Sequence, residues 1–207
     1  MSPALAAADA DAFSACLARG GVAVFPADTV YGLAARAGDA AALARLYALK
    51  GRPPGKPAAL MCFTLARAHA LLGPLGPRTR AAVAALLPGP VTLLLPDPAA
   101  PGDAARALGI RVPRLTPALA ALARVEHVIV QSSANLAGGP DPRTVAEVPA
   151  AIRAGADLVL DAGPLPGTPS TVVDLRPLEA TGRWRVVREG AVPRAGIARA
   201  LGIVGRR

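Results

Sequence analysis

The sequence predicts an α/β domain, a single twisted open mixed sheet of parallel and antiparallel strands flanked by helices. Three observations lead there. Helical segments alternate with short apolar strand-like runs along the 207 residues, as expected of a sheet covered by helices. Several strands are stopped by proline, and two late ones, STVVDL (170–175) and RWRVVREG (183–190), follow each other directly, which argues against a purely parallel sheet. Polar residues also gather just after strands, where open α/β sheets place ligands.

Taken in order, residues 3–19 form an alanine-rich helix ended by Gly20-Gly21, and VAVFP (22–26) is a strand. Asp39 is positioned to cap a helix over 40–50, with Leu43, Leu46 and Tyr47 on one face and Lys50 at its C-terminus. GRPPGKP (51–57) is a stiff basic loop, and AALMCF after it reads as a buried strand. Two helices follow, the second opening at Pro77; LLPGP (86–90) then breaks the chain before the strand VTLLL. GIRVP (109–113) is a short strand, and Thr116-Pro117 marks a helix start. The run HVIVQ (127–131) is apolar enough to be a strand buried on both faces. A polar loop (132–144), a helix near 148–154, a strand over 157–161 and a Pro/Gly-rich loop (163–169) precede the two late strands. The sequence therefore divides into one domain over 1–192 and an Arg-rich, helical tail over 193–207.

Composition sets limits. The apolar fraction is 53% but only 3% of residues are aromatic, so the core rests on Leu, Val and Ile. The formal charge of +9 comes nearly all from arginine; it suits either a solvated basic surface or a polyanionic ligand such as a nucleotide triphosphate or RNA. Cys16 and Cys62 belong to no metal-binding or CxxC spacing, which points to a reducing, cytoplasmic setting. Asp9 and Asp11 argue against a signal peptide, and no apolar run is long enough to span a membrane.

The chemistry-bearing stretches are individually ambiguous. GRPPGKP resembles a P-loop but fails it: three residues, not four, separate Gly51 from Gly55, and Pro57 follows Lys56 where Ser or Thr is required. What remains is a cationic cluster of Lys50, Arg52 and Lys56, either an ordinary basic loop or a triphosphate clamp. A lysine at a helix end is expected to contribute little to folding stability. Arg111 lies in an apolar strand, where an unpaired charge is costly, so it should meet a carboxylate or phosphate from a ligand or from the protein. SSAN (132–135) and STVVD (170–174) suit turns or sites alike. His69 and His127 lack catalytic or metal partners in sequence, and there is no GxSxG or HExxH.

The order of these stretches is more specific than any one of them. PADTVYGL, KGRPPGKP, LPGPVTLLL, IRVP, SSAN, GTPSTVVD and VVREGAV together resemble the YrdC-like family of threonylcarbamoyl-AMP synthases, from about Gly20 to Val192. The resemblance implies a YrdC-like fold and a nucleotidyltransferase that makes threonylcarbamoyl-AMP and pyrophosphate from L-threonine, bicarbonate or CO2, and ATP. Mg2+ would be held by phosphates and water, with no protein metal site. The product would serve tRNA modification through a downstream threonylcarbamoyl-transfer complex, with possible direct RNA contact.

By the same resemblance, Lys50 and Arg52 hold phosphate and carbamate oxygens as the catalytic pair, with Lys56 on the nucleotide side. Arg111 grips the threonine carboxylate, and Thr29, Ser133 and Ser170 complete the threonine pocket. Asn135, Arg143 and Arg188 line the nucleotide side with Arg52. Tyr31, Met61 and Thr171 shape the pocket, and Gly32 allows a close turn. The sequence departs from the usual motifs at Ala27, Lys56, Met61 and Arg143, and the resemblance covers the family's core domain, so a short form without the extra C-terminal domain of longer synthases is expected. KPAALMCF is also similar to the YciO branch, so a nucleotide-binding relative with another substrate, or an RNA-binding module, stays open as an alternative.

Overall fold

A computed structural model describes residues 4–51, 58–100 and 106–202. Nine strands form one sheet: β1 (Ala23–Pro26), β2 (Tyr31–Arg36), β3 (Ala59–Met61), β4 (Val91–Pro96), β5 (Ala107–Arg111), β6 (Ile129–Ser133), β7 (Leu158–Val159), β8 (Thr171–Asp174) and β9 (Arg185–Arg188). Their order is β7-β1-β2-β6-β3-β5-β4-β8-β9. The β7–β1, β3–β5 and β4–β8 pairs are parallel and the remaining pairs antiparallel, so the mixed sheet expected from sequence is what forms.

The helices are α1 (Ala7–Ala18), α2 (Ala40–Lys50), α3 (Leu65–Leu72), α4 (Pro77–Leu86), α5 (Ala150–Gly155), α6 (Leu178–Thr181) and α7 (Arg194–Ala200). Caps set several boundaries. Asp39 accepts from Ala42 N at 3.0 Å to open α2, and Gly51 closes that helix in a left-handed conformation at φ 60°. The segment after Thr116 winds as a 3-10 helix, Pro117–Arg124, rather than an α-helix.

Side-chain alternation along the strands divides the molecule. On one sheet face, Val24 and Leu33 pack under α2 and α5 through Leu46 and Ile152. Further along the same face Leu93, Leu95, Ile110 and Val173 pack under α3, α4 and α7. On the opposite face α1 and the 3-10 helix cover only one end, over Phe25, Met61 and Ile129. Phe13, Phe25 and Phe63 form an aromatic knot there, with Phe13 stacked on Phe25 at 5.3 Å between centroids. Among the described residues, no helix lies over the rest of that face.

Strand β2 was not expected from sequence. Its alanines and glycine carry weak strand preference, and it forms because it lies between β1 and β6 and pairs with both. Gly32 is therefore not a turn residue. A Cβ there would lie 3.0 Å from Gln131 Nε2 and 3.1 Å from Ser132 O, so the glycine admits a close cross-strand approach. The strand expected at His127 begins only at Ile129, and the one over 157–161 shrinks to Leu158–Val159. In α7, Ile197 is fully buried in the core under α4, and Arg194 sits 5.3 Å over the Trp184 ring. No described helix is long and apolar enough to cross a membrane.

Asp174, 2% exposed at the end of β8, holds the late strands together. Its carboxylate takes Arg176 Nε at 2.9 Å and Nη2 at 2.8 Å, and Arg185 Nε at 3.1 Å. The Arg176 hydrogen bonds hold the Asp174 carboxyl below the usual carboxylate range. A depressed folded-state pKa contributes stability that is present above the unfolded value of about 3.9 and is lost as pH falls through the folded value. Urea unfolding as a function of pH should therefore show a loss of wild-type stability below about pH 4 that is shallower in Asp174→Asn.

Candidate active site

The uncovered sheet face forms the floor of a cavity of about 590 Å³, a volume suited to a nucleotide-sized ligand. Alternation selects its floor. Leu93 and Ile110 point into the core, whereas Thr92, Leu94, Gly109, Arg111 and Val172 point into the cavity. Gly109 keeps the floor low, since a Cβ there would meet Ala59 Cα at 3.3 Å. Gln131 and Ser133 from β6, the loop from Asn135 to Asp141, and Ser170 and Arg188 form the walls with Lys50.

Arg111 is 2% exposed and ends β5 beside the β1–β2 loop. Its Nη2 donates to Asp28 Oδ1 and, at 2.6 Å, to Thr29 Oγ1, while its Nε has no partner among the described residues. The expected carboxylate partner is thus supplied by the protein itself. Burial pulls the guanidinium below its ordinary pKa, and the Asp28 charge opposes that shift. Asp28 Oδ2 also accepts from Arg114 N at 2.9 Å, anchoring the carboxylate to the segment after β5.

Lys50 departs from expectation. Ala42, Leu46 and Lys50 form a buried stripe at four-residue spacing on α2, which carries the lysine inward rather than leaving it at a solvated helix end. Its Nζ donates to Ser133 O at 2.7 Å, to Asn135 O at 3.0 Å and to Asn135 Oδ1, with Ser133 Oγ at 3.3 Å. The ammonium therefore binds the end of β6 and the SSAN turn to α2. Ala137 N donates to Lys50 O at 2.9 Å, a second tie between the same segments.

Across the cavity, Ser170 Oγ lies 2.8 Å from Thr92 Oγ1, and Arg188 Nη2 donates to Ser170 O at 2.7 Å. Gly190 allows this corner to close: a Cβ there would lie 2.2 Å from Pro169 O, the oxygen that accepts from Ala191 N at 2.8 Å. Among the described lining residues, Lys50, Arg111 and Arg188 are cationic and Asp141 is the carboxylate, so the cavity suits anions.

Of the residues singled out from sequence, Lys50, Arg111, Ser133, Asn135, Ser170 and Arg188 converge on this cavity. Arg52 and Lys56 lie outside the described residues. Thr29 adjoins the cavity through Arg111. Four others are not among its lining residues. Tyr31 is buried on the helix-covered face, where its hydroxyl lies 2.9 Å from Asp161 Oδ1 and 2.8 Å from Gly163 O and accepts from Ala162 N at 3.0 Å. Met61 belongs to the core around Phe25 and Phe63, beneath α1. Thr171 Oγ1 donates to Val192 O at 2.6 Å and ties β8 to the chain entering α7. Arg143 is exposed on the loop after Asp141, where its backbone N donates to Glu147 Oε2 at 2.9 Å and its side chain covers Gly167.

Four cavity or cavity-supporting residues were missed from sequence. Asp28 passed as turn chemistry, Thr92 and Gln131 as parts of apolar strands, and Asp141 as loop. A lone hydroxyl or amide at alternate positions of an apolar strand was the available signal for Thr92 and Gln131.

Among the described residues, the site is a half-uncovered sheet face, floored by alternate strand positions and walled by cations and hydroxyls, an arrangement that suits an anionic small molecule. Comparison with known proteins makes the assignment specific: residues 15–190 match the Sua5/YciO/YrdC domain, described as "Telomere recombination", and the chain belongs to that family. It is 38% identical over 192 residues to a threonylcarbamoyl-AMP synthase of Alkalilimnicola ehrlichii, covering 87% of this chain and 93% of that protein. A synthase of the same name from Thiobacillus denitrificans is 34% identical over 173 residues, covering 82% of this chain and 90% of that protein. Against other relatives the chain is shorter, spanning 54% of the Pyrococcus abyssi synthase. The crystal structure of P. abyssi Sua5 complexed with L-threonine superposes with a TM-score of 0.82 at 26% identity, covering 97% of this chain and 59% of that one. Escherichia coli YciO superposes with a TM-score of 0.74 at 25% identity, covering 92% and 93%.

Lys50 gives a direct test of the site's architecture. Replacing it with methionine keeps the apolar stem but strands the acceptors of Ser133 and Asn135. Lys50→Met should lower unfolding free energy by about 1–3 kcal/mol in urea titrations, whereas a helix-end lysine without structural ties would leave stability unchanged.

Proposed function

We propose that this chain is a threonylcarbamoyl-AMP synthase, forming threonylcarbamoyl-AMP and pyrophosphate from L-threonine, bicarbonate or CO2, and ATP. The observation that carries the reading is Arg111: a guanidinium that lines the cavity floor and is held there by Asp28 and Thr29, the cation placed to meet an incoming carboxylate. Family membership and the likeness to a threonine-bound Sua5 support it.

Three anionic groups must share the cavity: a triphosphate, a carbamate and an amino-acid carboxylate. The threonine amine captures CO2 as a carbamate, and a carbamate oxygen attacks the α-phosphorus of ATP as pyrophosphate leaves. Catalysis of this kind depends on placement and on neutralising charge. Arg111 takes the threonine carboxylate, with Ser133 and Ser170 offering hydroxyls on facing walls of the same cavity. Asn135 and Arg188 serve the nucleotide side, and Arg52 and Lys56 are assigned to phosphates. Lys50 supplies positive charge at the wall while fixing Ser133 and Asn135. Mg2+ enters with ATP, carried by its phosphates. The product passes to tRNA modification in the cytoplasm through a threonylcarbamoyl-transfer complex.

Purified protein with Mg2+ and ATP should release pyrophosphate only when both threonine and bicarbonate are added. Clear ATP binding without such release would redirect the assignment to another acyl or carbamoyl substrate. In the active protein, Arg111→Ala should weaken threonine use by roughly ten- to hundred-fold, the equivalent of one charged hydrogen-bond pair. Unchanged dependence of rate on threonine concentration would remove Arg111 from the amino-acid site.

A further inference from the structure

We infer that Asp28 is a positioning residue for the amino-acid substrate, acting through Arg111 to aim the guanidinium at the substrate carboxylate; this rests on the synthase reading above. Both Asp28 oxygens are committed. Oδ1 accepts from Arg111 Nη2, and Oδ2 accepts from Arg114 N at 2.9 Å. The Asp28 side chain is 4% exposed and that of Arg111 2%, so water does not compete for either charge. The carboxylate thus bridges the β1–β2 loop and the chain leaving β5, the two segments that meet at the buried end of the cavity.

The geometry divides the guanidinium. Its Nη2 is saturated by Asp28 and Thr29, which fixes rotation about the last side-chain bonds, while Nε is buried without a partner among the described residues. With both Nη2 hydrogens committed, the two-bond edges of the guanidinium are used up, so a substrate carboxylate is met by a single charge-assisted hydrogen bond from another guanidinium nitrogen, and the clamp at Nη2 fixes the direction of that donor. The hydrogen bond from Arg114 N matters for the same reason, because it stops the Asp28 carboxylate from rotating away. Asp28 need not touch substrate to do this. Without it, Arg111 would keep its charge but lose its direction.

Isothermal titration of L-threonine, L-threonine amide and Mg·ATP into wild-type protein and Asp28→Asn tests the idea. Threonine affinity should fall at least tenfold in the variant, with ATP affinity unchanged and the preference for threonine over its amide reduced. Equal threonine affinity in the two proteins overturns the inference, as does a parallel loss of threonine and ATP binding, which would mark a merely structural role. Wild-type protein that binds ATP but no threonine overturns the synthase reading itself, and with it the role of Asp28.

Should Asp28→Asn fail to fold, Arg114→Pro serves in its place. It removes the backbone donor to Asp28 while leaving the Arg111–Asp28 charges paired. Threonine affinity should then drop at least threefold with ATP affinity unchanged, and wild-type threonine binding in that variant would overturn the inference.

Discussion

The buried pair between Arg111 and Asp28 is the constraint around which the cavity is arranged. A guanidinium at 2% exposure loses most of its hydration, and its depressed pKa records that cost. The opposite charge and the Thr29 hydroxyl offset part of it. Such pairs often contribute little net stability compared with an apolar substitute, although removing one partner alone is expensive. Its value here is geometric. The pair joins the loop between the two edge-side strands β1 and β2 to the end of the central strand β5, and it fixes a cationic donor on the part of the sheet that no described helix covers.

A second tie works on the opposite wall. Lys50 connects the last turn of α2 to the turn after β6, through backbone oxygens of Ser133 and Asn135. The helix is itself anchored by the Ala42–Leu46–Lys50 stripe against the covered sheet face. Packing on one side of the sheet therefore sets the position of polar groups on the other. Arg111, Lys50 and the Thr92–Ser170–Arg188 corner together leave few of the wall's polar groups free to rearrange, which suits chemistry that depends on placement.

Strand alternation explains why so polar a surface coexists with so apolar a sequence. In β4, Leu93 enters the core while Thr92 and Leu94 face the cavity; in β5, Ile110 enters the core while Gly109 and Arg111 face it. A single residue's slip in register would exchange these sets and bury the wrong one. The same alternation explains Met61 and Tyr31. Met61 is the register partner of Arg111, but α1 covers that end of the face, so it packs as core. Tyr31 points to the other face, where its hydroxyl organises the chain from Asp161 to Gly163.

The sequence by itself determined the mixed α/β class, the caps of α2, the helix opening at Pro77, and the gathering of Arg111, SSAN, Ser170 and Arg188 in one family-like order. These are local signals or short motifs, fixed by residue chemistry and spacing. Only the tertiary structure decided that YGLAAR is a strand, because its pairing with β1 and β6 overrides weak local preference. Only packing decided that Lys50 is a buried tie, that Arg111 already owns a carboxylate in Asp28, and that Tyr31, Met61 and Thr171 point away from the cavity. The direction of a side chain depends on which face its neighbours cover, and those neighbours are distant in the chain.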